Sequence, residues 1–316
     1  MNNLPRRDEP GWYYRLSSFF REKFGHPVYK IPLDAGFSCP NRDGTIGNGG
    51  CTYCYNPSFA PFSGKKQKMS IAEQLAAGKK KSKKAFYIAY FQSYTNTYAP
   101  AAELKKIYDQ ALMDKDVIGL SIATRPDCVP DEILDLLEDY AHRLHLLWIE
   151  YGLQSAHDST LKRINRGHDA SAFADAVLRT MGRGIYTCAH IILGLPGETE
   201  EMMYDTIAFL NRCRVNGVKF HHLQVIRHTP LANEYEKGKV AVFENAKAYV
   251  PLLCNCLERL SPDIVVQRLA GQVAEKEMLI APGWPESPGQ IAAMTLEELR
   301  KRSTCQGHLS GTRAGK

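Results

Sequence analysis

Nine cysteines are spread along the chain, and three share one glycine-rich segment, Cys39-Pro40-Asn41-Arg42-Asp43-Gly44-Thr45-Ile46-Gly47-Asn48-Gly49-Gly50-Cys51-Thr52-Tyr53-Cys54. Cys51 and Cys54 form a Cys-x-x-Cys pair that presents two thiolates to one centre. Gly44, Gly47, Gly49 and Gly50 let the backbone curl back so that Cys39 can join them. Three chemistries suit such a trio. A structural zinc site takes a fourth ligand, normally from a second paired motif; none of Cys128, Cys188, Cys213, Cys254, Cys256 and Cys305 builds one. A thioredoxin-like redox pair would sit at a helix start after a strand and leave Cys39 without a role. An iron–sulfur cluster normally takes four cysteines; held by three, it keeps one iron open to an exogenous ligand. Spacing alone leaves all three open. The odd cysteine count and the absence of an export signal argue against a disulfide framework.

The elements that must position this loop alternate in type. Short β-rich runs recur at Val28 to Leu33, Phe86 to Phe91, Val117 to Ala123, Leu146 to Leu153, Tyr186 to Leu193 and Phe220 to Ile226. Ala101 to Met113, Asp131 to Tyr140, Ala170 to Met181 and Thr199 to Cys213 carry apolar residues at helical spacing between them. Ser70-Ile71-Ala72-Glu73 is a capping box that opens a further helix. The rhythm fits strand-turn-helix-turn units with right-handed parallel crossovers, so an α/β barrel or an open doubly wound sheet is expected. In a parallel barrel, functional residues come from the carboxyl ends of the strands. Cys39 follows the first strand, Gln92 to Asn96 the second and Thr124 to Asp127 the third. Gln154 and Ser155 end the fourth, Gly194 to Glu198 follow the fifth, and His228 follows the sixth. These polar and glycine-rich segments share one rim. Past residue 240 the rhythm weakens; Ala246 to Leu260 reads as a helix and Ile264 to Leu269 as one more strand.

The cysteine loop resembles that of the radical S-adenosylmethionine (SAM) enzymes with the longer cysteine spacing of the Elongator catalytic subunit's radical domain, and more closely still the bacterial YhcC/YtqA-like branch. The resemblance covers most of residues 12–285. It is carried further by Phe91-Gln92-Ser93-Tyr94-Thr95-Asn96-Thr97, Ala123-Thr124-Arg125-Pro126-Asp127-Cys128, Glu150-Tyr151-Gly152-Leu153-Gln154-Ser155, Asn165-Arg166-Gly167-His168 and Leu193-Gly194-Leu195-Pro196-Gly197-Glu198-Thr199. It implies a partial TIM-like barrel of about six β/α units with a short C-terminal extension. The expected division is an N-terminal segment (1–27), the barrel (28–240), an extension packed on it (241–297) and a basic, flexible tail (298–316). It also implies a 4Fe–4S cluster on Cys39, Cys51 and Cys54, with SAM chelating the open iron. One-electron reduction would then cleave SAM to methionine and a 5′-deoxyadenosyl radical that abstracts a substrate hydrogen. Tyr53, Gln92, Ser93, Thr124, Gln154, Arg166 and His190 are the implied SAM contacts. Tyr53 would lie near the adenine, and Gln154 and Arg166 near the ribose and carboxylate. Two departures from the family pattern stand out. Gln92-Ser93-Tyr94-Thr95 replaces a Gly-Gly-Glu-like segment, and Ala123 replaces a glutamate. Plainer readings compete: Tyr53 as a packing aromatic, Arg166 as a helix-end surface residue, His190 as a core histidine.

Length and charge narrow the partners. The 316 residues are 44% hydrophobic and 23% charged, which excludes a mainly disordered chain. No apolar run is long enough for a bilayer, and the N-terminus has no apolar stretch behind its arginines; a cytoplasmic protein without membrane contact is expected. The net charge of +6 is uneven. Residues 65–84 hold eight lysines against Glu73, and residues 300–316 hold five basic residues and no acid, so the remainder is net acidic. Such localised basicity suits a polyanion. With the Elongator resemblance it points to tRNA, bound through Lys65–Lys84 and the tail. The expected reaction is wobble-uridine side-chain maturation, for example carboxymethylaminomethyl to aminomethyl, with flavodoxin or ferredoxin as electron donor. The alternatives are a radical SAM enzyme acting on a small metabolite or porphyrin-like compound, and a non-catalytic, metal-containing nucleic-acid-binding module.

Overall fold

The computed structural model describes residues 11–58, 69–79 and 85–311. The elements run α1 (Leu16–Phe24), β1 (Val28–Leu33), α2 (Ile71–Gly78), β2 (Phe86–Phe91), α3 (Ala101–Leu112), β3 (Val117–Thr124), α4 (Asp131–Arg143) and β4 (Leu146–Gln154). They continue with α5 (Asp158–Arg163), α6 (Ala170–Thr180), β5 (Tyr186–Leu193), α7 (Glu200–Cys213), β6 (Gly217–His222), β7 (Val225–Ile226) and α8 (Pro230–Glu236). α9 (Ala246–Arg259), β8 (Val265–Arg268), β9 (Leu279–Ala281) and α10 (Pro288–Lys301) complete the chain. One parallel sheet takes the order β1-β2-β3-β4-β5-β6-β8 and curls into a half-barrel. Its strands follow sequence order because each helix carries the chain back along the sheet with the same hand.

Burial on both faces explains the apolar strands: every residue of β4 except Gln154 is buried. Helices cover the outside with one stripe each. α4 contributes Ile133, Leu134, Leu137 and Tyr140, and Ser70 caps α2 through the expected reciprocal bonds with Glu73. The N-terminal segment joins the open side of the sheet. Arg15 bridges to Val266 in parallel, and α1 packs against both β1 and β8.

Two expectations need correction. The sixth strand ends at His222; Val225–Ile226 leaves the sheet and pairs antiparallel with β9, because Leu223 and Val225 enter a separate apolar cluster with Leu195 and Leu231. Residues 298–311 do not form a loose tail. α10 runs to Lys301, and Arg302 is tied to Glu298 and Asn255. Gln306 is buried, donates to the carbonyls of Ser261 and Ile264 and accepts from the Tyr14 amide. Composition suggested mobility here; buried polar anchoring supplies order that composition does not encode. Arg302 is thus not free for a polyanion, and neither is Lys79, which pairs with Asp114 and Asp116. The other lysines of 65–84, with Arg313 and Lys316, lie outside the described residues.

Candidate active site

Cys39, Cys51 and Cys54 line one cavity of about 780 Å³ at the carboxyl ends of the strands. The loop is held by its own backbone and by the turn after α5. The Arg42 amide donates to the Cys39 carbonyl (2.8 Å), and Gly50 to that of Asn41 (2.8 Å). Thr52 donates to the Ile164 carbonyl (2.9 Å), Asn165 Nδ2 to the Gly50 carbonyl (2.8 Å), and Asn41 Nδ2 to the Asn165 carbonyl (2.6 Å). Gly50 sits at φ 83°, and a Cβ there would lie 2.8 Å from the Arg42 side chain. That close approach lets Arg42 reach the Cys54 carbonyl.

The donor set fits a cationic cluster. The buried Cys51 sulfur faces Asn41 Nδ2 at 3.7 Å and Arg166 Nη1 at 3.6 Å, the kind of outer-shell bonding that supports thiolate ligands. Burial, then the neighbouring Cys51 sulfur, push the Cys54 thiol up to about 11, against the pull of Arg42. Cys39, Cys51 and Cys54 come from one loop and face one cavity, so they can serve together as ligands of a metal centre, which would deprotonate all three.

Of the expected contact residues, Tyr53, Gln92, Thr124, Gln154, Arg166 and His190 line the same cavity. Ser93 does not; it is buried beside it, and its hydroxyl has no hydrogen-bond partner among the described residues. Thr124 shares a hydrogen bond with the Thr97 hydroxyl at 2.6 Å. Gln154 adopts φ 77°, rare for a residue with a side chain, where the β4–β5 register slips. Arg166 is buried, not a surface residue, and donates from Nε and Nη2 to the Gly152 carbonyl (3.2 and 2.6 Å). A Cβ at Gly152 would stand 2.6 Å from Arg166 Nη2, so glycine makes room for the guanidinium. His190 bonds Glu150 through Nε2 at 2.7 Å.

That last bond opens onto a part of the site that the motifs do not mark. Glu150, at the centre of β4, accepts from Lys30 Nζ (2.6 Å) and Ser121 Oγ (2.5 Å) on one oxygen. Its other oxygen accepts from His190 and Lys219. Burial works to raise the Glu150 carboxyl, but Lys219, Lys30 and His190 together hold it well below the usual range. Burial pulls the Lys219 ammonium down to about 7 in spite of Glu150. The available signal was a lone charge inside an apolar run, Leu146-Leu147-Trp148-Ile149-Glu150, since buried charges demand partners.

Residues 43–210 match the Radical SAM superfamily and residues 215–300 the Radical_SAM C-terminal domain. The chain is 39% identical to the uncharacterized protein YtqA of Bacillus subtilis over 309 residues, 97% of this chain and 95% of YtqA. The chain belongs to the radical SAM superfamily. It is also 40% identical to protein YhcC of Escherichia coli K12 over 266 residues, 84% of this chain and 85% of YhcC. The solved structure of archaeal Methanocaldococcus infernus Elp3, with an N-terminal deletion, superposes with a TM-score of 0.64 at 14% identity, covering 88% of this chain and 64% of that one. The fold is thus that of a radical SAM half-barrel. The cofactors of this radical SAM protein are a 4Fe–4S cluster and SAM. Among the described residues no helix is long and apolar enough to cross a membrane.

Proposed function

We propose that this radical SAM enzyme acts on tRNA and converts a carboxymethylaminomethyl side chain on a wobble uridine to aminomethyl. Cys39, Cys51 and Cys54 would hold the cluster. Tyr53, Gln92, Thr124, Gln154, Arg166 and His190 would surround SAM, with Ser93 supporting Gln92 from behind. The carrying observation is one cavity that runs from the three cysteines to the Lys30–Glu150–Lys219 group, with room for SAM beside a small polar side chain. The resemblance to the Elongator radical domain and the lysine-rich segment 65–84 support RNA as the carrier of that side chain.

When bound, SAM would supply the oxidising power, leaving as methionine and 5′-deoxyadenosine, while the substrate's carboxymethyl carbon gives up a hydrogen atom and a further electron and the attached amine nitrogen its proton. The side chain is thereby oxidised to an imine, and the further electron replaces the one that the flavodoxin- or ferredoxin-class donor provides. Water then hydrolyses the imine to the aminomethyl amine and glyoxylate, which balances atoms and electrons. The protein's part is to hold the methylene carbon close and keep bulk water out until the imine forms.

Nucleosides from tRNA of cells with and without the gene test this reading. Carboxymethylaminomethyluridine accumulates on deletion if the assignment holds; an unchanged nucleoside profile contradicts it, and turnover of a small free metabolite in its place favours the alternative substrate class. Binding to tRNA should also weaken steeply with salt, since phosphate contacts release counterions.

A further inference from the structure

The cavity has a second pole, one layer below the cysteines. Glu150 and Gly152 lie on the same face of β4 two residues apart, about 7 Å along the strand. Arg166 and Cys51 meet at the upper level, where Gly152 accepts from Arg166. Lys30, His190 and Lys219 meet at the lower level, around Glu150.

Charge does not balance at the lower level. Glu150 is the one acid among the described residues lining the cavity, and both its oxygens are already engaged by two ammonium groups and a histidine. Arg268 lies beside Lys219 in the sheet register, and its guanidinium makes no hydrogen bond or ion pair among the described residues. It adds a positive charge with no counterpart among those residues. Two donors on the cavity wall, at different heights along β6, are equally unmatched. His221 Nε2 and Gln267 Nε2 are buried without hydrogen-bond partners among the described residues, although Gln267 uses its oxygen to accept from Lys30 (2.6 Å). Burial, then Arg268 and His190, hold His221 neutral well below its ordinary range, so it can present an N–H. Glu150, Cys188 and His190 cluster closely enough to suggest a cation site, but the ammonium groups of Lys30 and Lys219 already stand where a metal would bind. Buried, orphaned donors next to excess positive charge call for an anion.

We propose that Arg268 and His221 form a carboxylate subsite that grips the acid end of the substrate, with Lys219 behind it as reserve charge. A guanidinium offers a two-pronged fit to a carboxylate, and the layer spacing would place the adjoining carbon toward the cysteine level. The inference rests on the carboxymethylaminomethyl reading of the substrate and assigns its specificity to residues of β6 and β8.

The test is titration calorimetry on the full-length reconstituted protein. The probes are an anticodon stem-loop RNA carrying 5-carboxymethylaminomethyluridine and the same RNA with the side chain as its neutral amide. The acid form should bind at least about tenfold more tightly, as a charge-assisted pair allows. Arg268→Gln should bring the ratio close to one, and Arg268→Lys, which keeps the charge without the fork, should restore part of it; circular dichroism and cluster absorbance report folding of each variant. Equal binding of acid and amide by the wild type, or an unchanged ratio in Arg268→Gln, overturns the subsite. Bromide soaked into crystals gives a readout that does not depend on RNA. An anomalous peak at Arg268 and His221, lost in Arg268→Gln, upholds the subsite even if neither RNA binds, an outcome that would sink the tRNA reading alone. No peak overturns the subsite.

Discussion

The cysteine rim and the charged floor of the same cavity are built on opposite principles. The rim is a single loop whose backbone is shaped by glycine and pinned by the turn after α5. Its three sulfurs face one cavity and would be bound together by a shared cluster. The floor is assembled from single residues on β1, β4, β5, β6 and β8, and the group around Glu150 holds its own charges together within the fold. The rim should therefore depend on its cofactor and the floor on its own network. Damage to the rim should abolish chemistry with modest loss of fold stability; damage to the floor should cost stability first.

Replacing Cys39, Cys51 or Cys54 by alanine should abolish the iron–sulfur absorbance and 5′-deoxyadenosine formation while the metal-free protein keeps its far-UV circular dichroism. Iron analysis and chromatography of the products check this, and retained cluster in all three variants would break the contrast. Glu150→Gln should act in the opposite sense. It leaves Lys30 and Lys219 buried without a counter-charge, a loss of about 3–5 kcal/mol in urea unfolding; a stability equal to wild type would show the floor to be solvated. Gly152→Ala, which puts a methyl against Arg166, should cost about 1–3 kcal/mol by overpacking. It should also move the cluster to a more negative potential, because Cys51 loses a donor; a redox titration followed by EPR measures the shift.

Acid should separate the two regions further. Burial holds His190 down to about 4, against an ordinary 6.5. Between those values the unfolded chain binds more protons, so the stability present above 6.5 is lost as pH falls toward about 4. The slope is up to about 1.4 kcal/mol per pH unit for one such group. Urea midpoints from pH 7 to 4.5 should fall less steeply in His190→Asn than in wild type, and parallel profiles would contradict the assignment. The smallest effect is expected at Lys79→Ala, about 0–1 kcal/mol, because its pairs with Asp114 and Asp116 are partly exposed.

The same contrast explains what could be read from the sequence. The rim was legible because its residues are neighbours in the chain, and spacing carries the chemistry of Cys51 and Cys54. The strands from β1 to β5 were legible because burial on both faces writes continuous apolar runs. The floor was not, since Lys30, Glu150, Lys219 and Arg268 meet only once the sheet has curled. Arg166 was legible as a position but not as a contact: its bond to the Gly152 carbonyl depends on a missing Cβ. The end of the chain misled because Gln306 is anchored by backbone groups of Ser261 and Ile264, and no periodicity announces such bonds.

EPR of the anaerobically reconstituted, dithionite-reduced protein, recorded without and with SAM, tests the central claim most directly. A three-cysteine cluster predicts about four irons per chain, a reduced-cluster signal that changes on adding SAM, and 5′-deoxyadenosine in the same sample. A signal that SAM leaves unchanged, or a preparation that holds zinc in place of iron, would contradict it.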